Sequence, residues 1–295
     1  MKQLLAYCLS IILCVSFTGC MENYLDLYPE DKITSASFPE NESDIKLLLN
    51  GVYAQLREKE VYNQGLFGFG ITDGATPNAF NWGTDEVFNK LGAGRLSSSD
   101  GGVVTYRWKR CYEIISRANY LLACMDLVDL SEEAKAKYSG ETHFLRGLAY
   151  SVLAETYGGV PIILTNISTE EARSLKRASL EETWQQALDD YEVAITNLGV
   201  DGPPEPGRAT KGAALGMKMR AYLYQGKYKE VLSCVEQIDA LKKYGLFHSY
   251  EGLFDPANEN NKEVLFDIQY IEGENSQGSY IDQYCGTGTG RWDRG

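Results

Sequence analysis

Residues 141–164 read ETHFLRGLAYSVLAETYGGVPIIL, and this stretch decides the fold class. Leu145, Leu148, Val152 and Leu153 recur at helical spacing and predict an apolar helix face. Gly147, Ser151, Ala154 and Gly158 form a second stripe of small residues, along which a neighbouring backbone can approach closely. Gly158-Gly159 ends the helix, because glycine reaches left-handed dihedrals without a Cβ clash, and Pro161 cannot rejoin it. The expectation is a buried helix with a sharply defined exit.

Helical periodicity extends to both sides of it. Asp44 to Leu56 places Ile45, Leu48, Leu49, Val52 and Leu56 on one side, and Trp108 to Met125 brings Tyr112, Ile115, Ala118, Asn119 and Leu122 into phase. Ser179 is a plausible N-cap with Glu182 as its capping-box partner, opening a helix to about Leu198 that carries Trp184, Leu188, Tyr191 and Ile195 on one stripe. A further helix runs through Met219 to Tyr224, and the next has Tyr228, Val231, Leu232, Val235 and Ile238 on one face. The Ala221-Tyr222 and Gln225-Gly226-Lys227-Tyr228 runs between them make a tetratricopeptide-type turn. Arg146 and Arg220 each lie shortly before an Ala-Tyr, which points to three or four degenerate helix pairs. Glu263 to Tyr270 predicts a short strand. The fold class is all-α: tetratricopeptide-like helix pairs with long irregular loops.

Tyr62 to Thr105 has a different character. It is rich in Gly, Asn and Ser, and it carries Phe67, Phe69, Phe80, Trp82 and Phe88 without helical period. Long irregular loops in a compact domain are usually functional or disordered, and this many aromatics argues against disorder. Asn78, Asn81 and Trp82, with Asp73 nearby, combine an indole that stacks on the apolar face of a sugar ring with side chains that bond its hydroxyls. Trp82 either makes that contact or anchors the loop onto the core.

Composition excludes several function classes. The formal net charge is −13, and removing residues 1–19 with Lys2 takes it to −14, a surface that repels phosphate backbones. Nucleic-acid binding is not expected. Of seven cysteines, Cys111, Cys124, Cys234 and Cys285 lie away from the N-terminus without CxxC spacing; buried free thiols are expected, with neither a zinc site nor a disulfide framework. His143 and His248 are the only histidines and have no ligand-spaced partner. There is no nucleophile elbow or P-loop, and Gly68-Phe69-Gly70 followed by Gly74 misses the dinucleotide spacing. Asp189-Asp190 and Glu181-Glu182 are adjacent pairs whose side chains diverge around a helix. No enzyme and no cofactor is expected.

Residues 1–19 form a secretory leader, with Lys2 at its start and an apolar run from Leu4 to Phe17. It ends in Phe17-Thr18-Gly19-Cys20, which resembles a bacterial lipobox; the alternative is an ordinary signal peptide that happens to contain cysteine. Lipidated at Cys20, the chain is held stably by a diacyl thioether plus an N-acyl chain. An acidic tether broken by Pro29 and Pro39 follows.

Several separated runs resemble one family. Phe144-Leu145-Arg146-Gly147 leading into Tyr157-Gly158-Gly159-Val160-Pro161 is similar to the signature of the SusD/RagB family. Leu25-Asp26-Leu27-Tyr28-Pro29, Leu49-Asn50-Gly51-Val52-Tyr53, Ile115 to Asn119 and Gly207-Arg208-Ala209-Thr210-Lys211 also resemble family runs. The resemblance implies a surface-exposed outer-membrane lipoprotein that captures an oligosaccharide and delivers it to a TonB-dependent SusC-like transporter. It also implies a leader at 1–19, a lipidated tether at 20–40 and a helical domain at 41–295 whose C-terminal part is missing, since family members are considerably longer. An aromatic and an asparagine in the corresponding loop contribute to glycan binding in the family. Arg146, Tyr157, Gly158, Pro161 and Arg208 are its structural signature. Two alternatives stand beside it: a peptide-binding RagB-type uptake lipoprotein, and a lipid-anchored tetratricopeptide adaptor that uses its concave helical face.

Cys20→Ala is expected to release the protein from membranes in detergent-free fractionation. A variant that stays in the membrane pellet, with no labelled palmitate taken up by the wild type, would refute the anchor.

Overall fold

The computed structural model describes residues 38–58, 76, 86–97, 99–201 and 205–270. Two units, Met1–Glu40 and Asn41–Gly295, divide the chain, and the described helices belong to the second. They are α1 (Glu42–Ala54), α2 (Glu86–Gly92), α3 (Val103–Cys124), α4 (Glu132–Tyr157), α5 (Thr169–Ser174), α6 (Leu180–Asn197), α7 (Lys211–Tyr224) and α8 (Tyr228–Ala240). Their starts follow local chemistry. Asn41, Ser131, Ser168, Ser179 and Thr210 each accept a backbone N–H of the first turn that has no intrahelical partner. Ser179 with Glu182 closes the expected capping box, and Ser168 with Glu171 closes a second.

From α3 onward the long helices pack as a series: α3 on α4, α4 on α6, α6 on α7 and α7 on α8, with α1 laid across α3 and α4. The middle of this series is α4. Every residue from Phe144 to Ala154 is buried, so the expected apolar face is in fact an all-round buried helix. The small-residue stripe has a definite partner. A Cβ at Gly147 would lie 3.0 to 3.1 Å from Tyr191, Ala187 and Asp190 of α6, and the Ser151 hydroxyl bonds that of Tyr191 at 2.9 Å.

Two expectations are corrected. Residues 263–270 form no strand among the described residues. The segment instead packs Phe266 and Ile268 onto the core, with Phe266 edge-on to Phe144 at 4.9 Å. The stretch from Tyr62 to Thr105, read as irregular, contains α2 and the first residues of α3. The apolar face of α8 is only partly covered: Tyr228 is 67% exposed and Leu232 64%, while Ile238 packs against the core and Cys234 faces inward. Helix α8 is the last of the series among the described residues, so no following helix covers that face. Cys111, Cys124 and Cys234 are buried free thiols, and Cys285 lies outside the described residues.

A buried polar cluster ties the central helices together. Arg146 Nη2 donates to Asp190 Oδ1 at 2.7 Å and Arg146 Nε to Oδ2 at 3.0 Å, a forked pair between α4 and α6. Arg146 Nη1 donates to Asn119 Oδ1 on α3 at 2.8 Å, and His143 Nδ1 lies 2.7 Å from Asp190 Oδ1. The Asn119 amide then donates to the Ile163 carbonyl at 3.0 Å. Burial pushes the Asp190 carboxyl up, but hydrogen bonds from His143 and Arg146 and the guanidinium charge outweigh it and hold it below the usual carboxylate range. Asp190 is buried, whereas its neighbour Asp189 turns outward to accept from Gln185 at 2.7 Å.

The exit from α4 uses both glycines, for different reasons. Gly158 has φ 75° and ψ −138°, not the expected left-handed helical values but the mirror image of extended backbone, which is still more confined to glycine. At Gly159 the constraint is space: a Cβ there would lie 2.0 Å from the Ala178 carbonyl oxygen. That approach lets Ala178 N donate to Val160 O at 3.0 Å and Val160 N to Thr183 Oγ1 at 3.1 Å.

In denaturant titrations Gly158→Ala is expected to cost about 1–3 kcal/mol through its dihedral alone, and Gly159→Ala more, because backbone must move. Equal or negligible losses would refute this account of the turn. Asp190→Ala leaves Arg146 buried without a counter-charge and is expected to cost about 3–5 kcal/mol. The folded carboxyl is depressed, so its contribution is fully present above the unfolded value of about 3.9 and is lost as pH falls through the folded one. The wild type should therefore lose stability below about pH 4 more steeply than Asp190→Ala; parallel curves would show that the pair contributes nothing.

Candidate functional site

The segment after Gly159 is stitched to the helices through its carbonyls. Tyr112 Oη donates to Pro161 O at 2.6 Å, Tyr150 Oη donates to Ile163 O at 2.9 Å, and the Asn119 amide reaches Thr165 O at 3.3 Å. Held this way, residues 161–175 stand off from α3 and leave an open cleft of about 390 Å³. Trp108, Tyr112 and Ile115 of α3 line one side, and Pro161, Ile163 and Leu175 the other. Ser116, Thr165 and Asn166 contribute the polar side chains, and among the described residues no charged one lines the cleft.

Its tryptophan is fixed before any ligand arrives. Trp108 meets the Tyr157 ring edge-on at 5.2 Å and lies tilted against Tyr112 at 5.1 Å. The Arg177 guanidinium sits 5.7 Å from the Trp108 ring centroid and donates to Gly159 O at 2.6 Å and Tyr157 O at 2.5 Å. Burial raises the Tyr157 hydroxyl to about 12 and raises that of Tyr112 further. Both stay protonated across the physiological range and are donors, not bases.

Two other clefts meet at Arg208 and have opposite chemistry. Tyr53 Oη donates to Glu141 Oε2 at 2.8 Å, Arg208 Nη1 donates to the same oxygen at 3.3 Å, and Arg208 Nη2 reaches Asn50 Oδ1 at 2.5 Å. The Arg208 guanidinium also lies 4.9 Å from the Tyr53 ring centroid. Burial raises the Glu141 carboxyl despite Arg208 and the Tyr53 hydroxyl. The cleft beside it is about 200 Å³, and a neighbouring one of about 460 Å³ is lined by Asp201, Glu205, Lys243, Lys262 and Asp267. Among the described residues no group of three or more His, Cys, Asp or Glu side chains is placed to hold a metal ion. No described helix is long and apolar enough to cross a membrane.

The residues singled out in the sequence fall into two groups. Trp82, Asn81, Asn78, Asp73 and Cys20 lie outside the described residues. Arg146 is in the buried cluster, Tyr157 and Gly158 end α4, Pro161 walls the aromatic cleft, and Arg208 closes over Glu141. Asp190, Trp108 and Tyr112 were read only as parts of helices and not as site candidates. A buried arginine requires a carboxylate, which was the available signal for Asp190. For Trp108 there was none, since a helix tryptophan reads first as core.

Comparison with known proteins agrees with this architecture. A SusD-like family model, described as starch-binding and associating with the outer membrane, matches residues 23–223. SusD-like protein P25 of Formosa agariphila is 26% identical over 294 residues, covering 94% of this chain and 54% of that protein. A SusD-like protein of Bacteroides fragilis superposes with a TM-score of 0.73 at 26% identity, over 84% of this chain and 48% of the other. A SusD-like carbohydrate-binding protein of the same species gives 0.69 at 26% identity, over 78% and 46%. The chain spans about half the length of the relatives it matches. With the family model covering most of its length, and an all-α helical array of the same form, the chain belongs to the SusD-like family.

Proposed function

We propose that this protein is a non-enzymatic, lipid-anchored capture protein for a glycan, working at the outer membrane and passing its ligand to a SusC-like TonB-dependent transporter. The observation that carries this reading is the match of residues 23–223 to a family described as starch-binding and associating with the outer membrane. The relative of Bacteroides fragilis called a carbohydrate-binding protein supports it. Cys20 attaches the lipid, and residues 20–40 hold the helical domain of residues 41–295 clear of the bilayer.

Trp82, Asn81, Asn78 and Asp73 are assigned to the ligand. An indole sheds water against the C–H face of a sugar, and the neighbouring amides and carboxylate select hydroxyl geometry. The peptide alternative is less well supported. The family description and that relative's name speak of starch and carbohydrate.

Trp82→Ala is expected to weaken glycan binding by about 1–3 kcal/mol, the range for removing one large buried contact, with an unchanged melting temperature. Affinity and melting are measured on the same full-length preparation. Unchanged affinity removes Trp82 from the site, and lost stability with proportionate loss of binding makes it a loop anchor.

A further inference from the structure

We propose that the cleft between α3 and residues 161–175 is a further sugar subsite, built from residues other than those assigned in the Trp82 loop, and that it takes an uncharged sugar unit. The inference rests on the glycan reading above and adds to it a place on the described surface and a ligand class.

Three observations carry it. The first is charge. Nearly a quarter of this chain is Asp, Glu, Lys or Arg, yet among the described residues none of these lines the cleft, whereas the two clefts at Arg208 are lined by both signs. An anionic sugar, or a peptide with charged termini, would lose hydration there with no lining counter-charge in return, since the Arg177 guanidinium on Trp108 is taken up by the Gly159 and Tyr157 carbonyls. The second is the pairing of surfaces. Trp108 and Tyr112 supply aromatic area, while the side chains of Ser116, Thr165 and Asn166 have no hydrogen-bond partner among the described residues and stand exposed at the rim. A pyranose presents the complement: apolar C–H faces and a girdle of hydroxyls that both donate and accept. A purely aliphatic partner would leave those polar groups unpaired. The third is rigidity. Tyr157 and Arg177 hold Trp108, and the carbonyl bonds from Tyr112, Tyr150 and Asn119 hold the opposite wall, so little ordering remains to oppose binding. At about 390 Å³ the cleft lies within the ~300–1,000 Å³ usual for small-molecule sites.

Two subsites on one body bind a long chain more tightly than either alone, because the second contact forms at high effective concentration. The cleft therefore matters most for polymers long enough to reach both.

The test is titration of the full-length protein with neutral malto-, laminari-, manno- and xylo-oligosaccharides of two to eight units, beside oligogalacturonates of the same lengths. Ser116→Glu places a carboxylate at the rim, and Asn166→Ala removes an exposed amide; neither touches the core. Ser116→Glu is expected to lower affinity for the preferred neutral oligosaccharide at least tenfold and Asn166→Ala about threefold. Melting temperatures should stay unchanged, and the losses should multiply with that of Trp82→Ala. Hydrogen exchange at residues 161–167 should slow when the oligosaccharide is added, a readout available even if Ser116→Glu fails to fold. If both variants bind as the wild type does and exchange at 161–167 is unmoved, the cleft proposal falls while glycan capture stands. If the wild type binds no sugar in the panel, both fall together. A preference for oligogalacturonate would overturn the assignment of an uncharged ligand. Unaltered sugar affinity with loss of co-purifying transporter would give the cleft to a protein partner and overturn the proposal.

Discussion

The arrangement of the central helices depends on one buried ion pair. Arg146 and Asp190 are almost fully excluded from water, and neither is tolerable there alone. Their fork fixes α4 against α6 at one register, and the third arginine nitrogen, on Asn119, brings in α3. From Asn119 the same chain of bonds reaches the carbonyls of Ile163 and Thr165. A single guanidinium thus determines where the segment after the helix can run. Apolar side chains of the same volume pack as well in such a place, but they lack the directional bonds that select one arrangement among several similar ones. Selection matters in this array, because α4 is buried all round from Phe144 to Ala154 and has no solvent-facing stripe there to set its rotation.

The aromatic cleft is a consequence of that arrangement. The backbone leaves α4 through a dihedral only glycine takes easily, and passes the start of α6 so closely that Gly159 leaves no space for a side chain. It then turns back along α3 at the distance set by Tyr112, Tyr150 and Asn119. The gap left is bounded by rings already locked in contact and by carbonyls already satisfied, so the polar groups still unpaired are those at its rim. The Arg208 region shows the opposite economy. There the guanidinium, a buried carboxyl and a phenol satisfy one another, and the remaining surface is charged.

Much of this was legible in the residues. Helix identity followed from period and caps: Ser179 with Glu182 starts α6 where expected, and the glycine pair ends α4 where expected. Family membership was legible for the same reason, since its marks are short runs in which each residue has a local backbone or packing duty. The candidate ligand residues Trp82, Asn81, Asn78 and Asp73 were legible only as chemistry. Loop composition says what could be bound but carries no period from which to place the side chains.

What the sequence determined by itself was therefore local: which stretches are helical, where they begin and stop, which thiols have no partner at hand, and which chemistry is missing. Tertiary structure decided the pairings between residues far apart in the chain. It chose Asp190 rather than Asp189 as the partner of Arg146, because helix rotation turns one carboxylate inward and the other to water. It left residues 263–270 outside any described sheet, packed through Phe266 and Ile268 onto the core, because a strand needs a neighbour's backbone to pair with. It also made Trp108, which packs against the core, a wall of a cleft, because that depends on how far the segment of residues 161–175 stands off from α3.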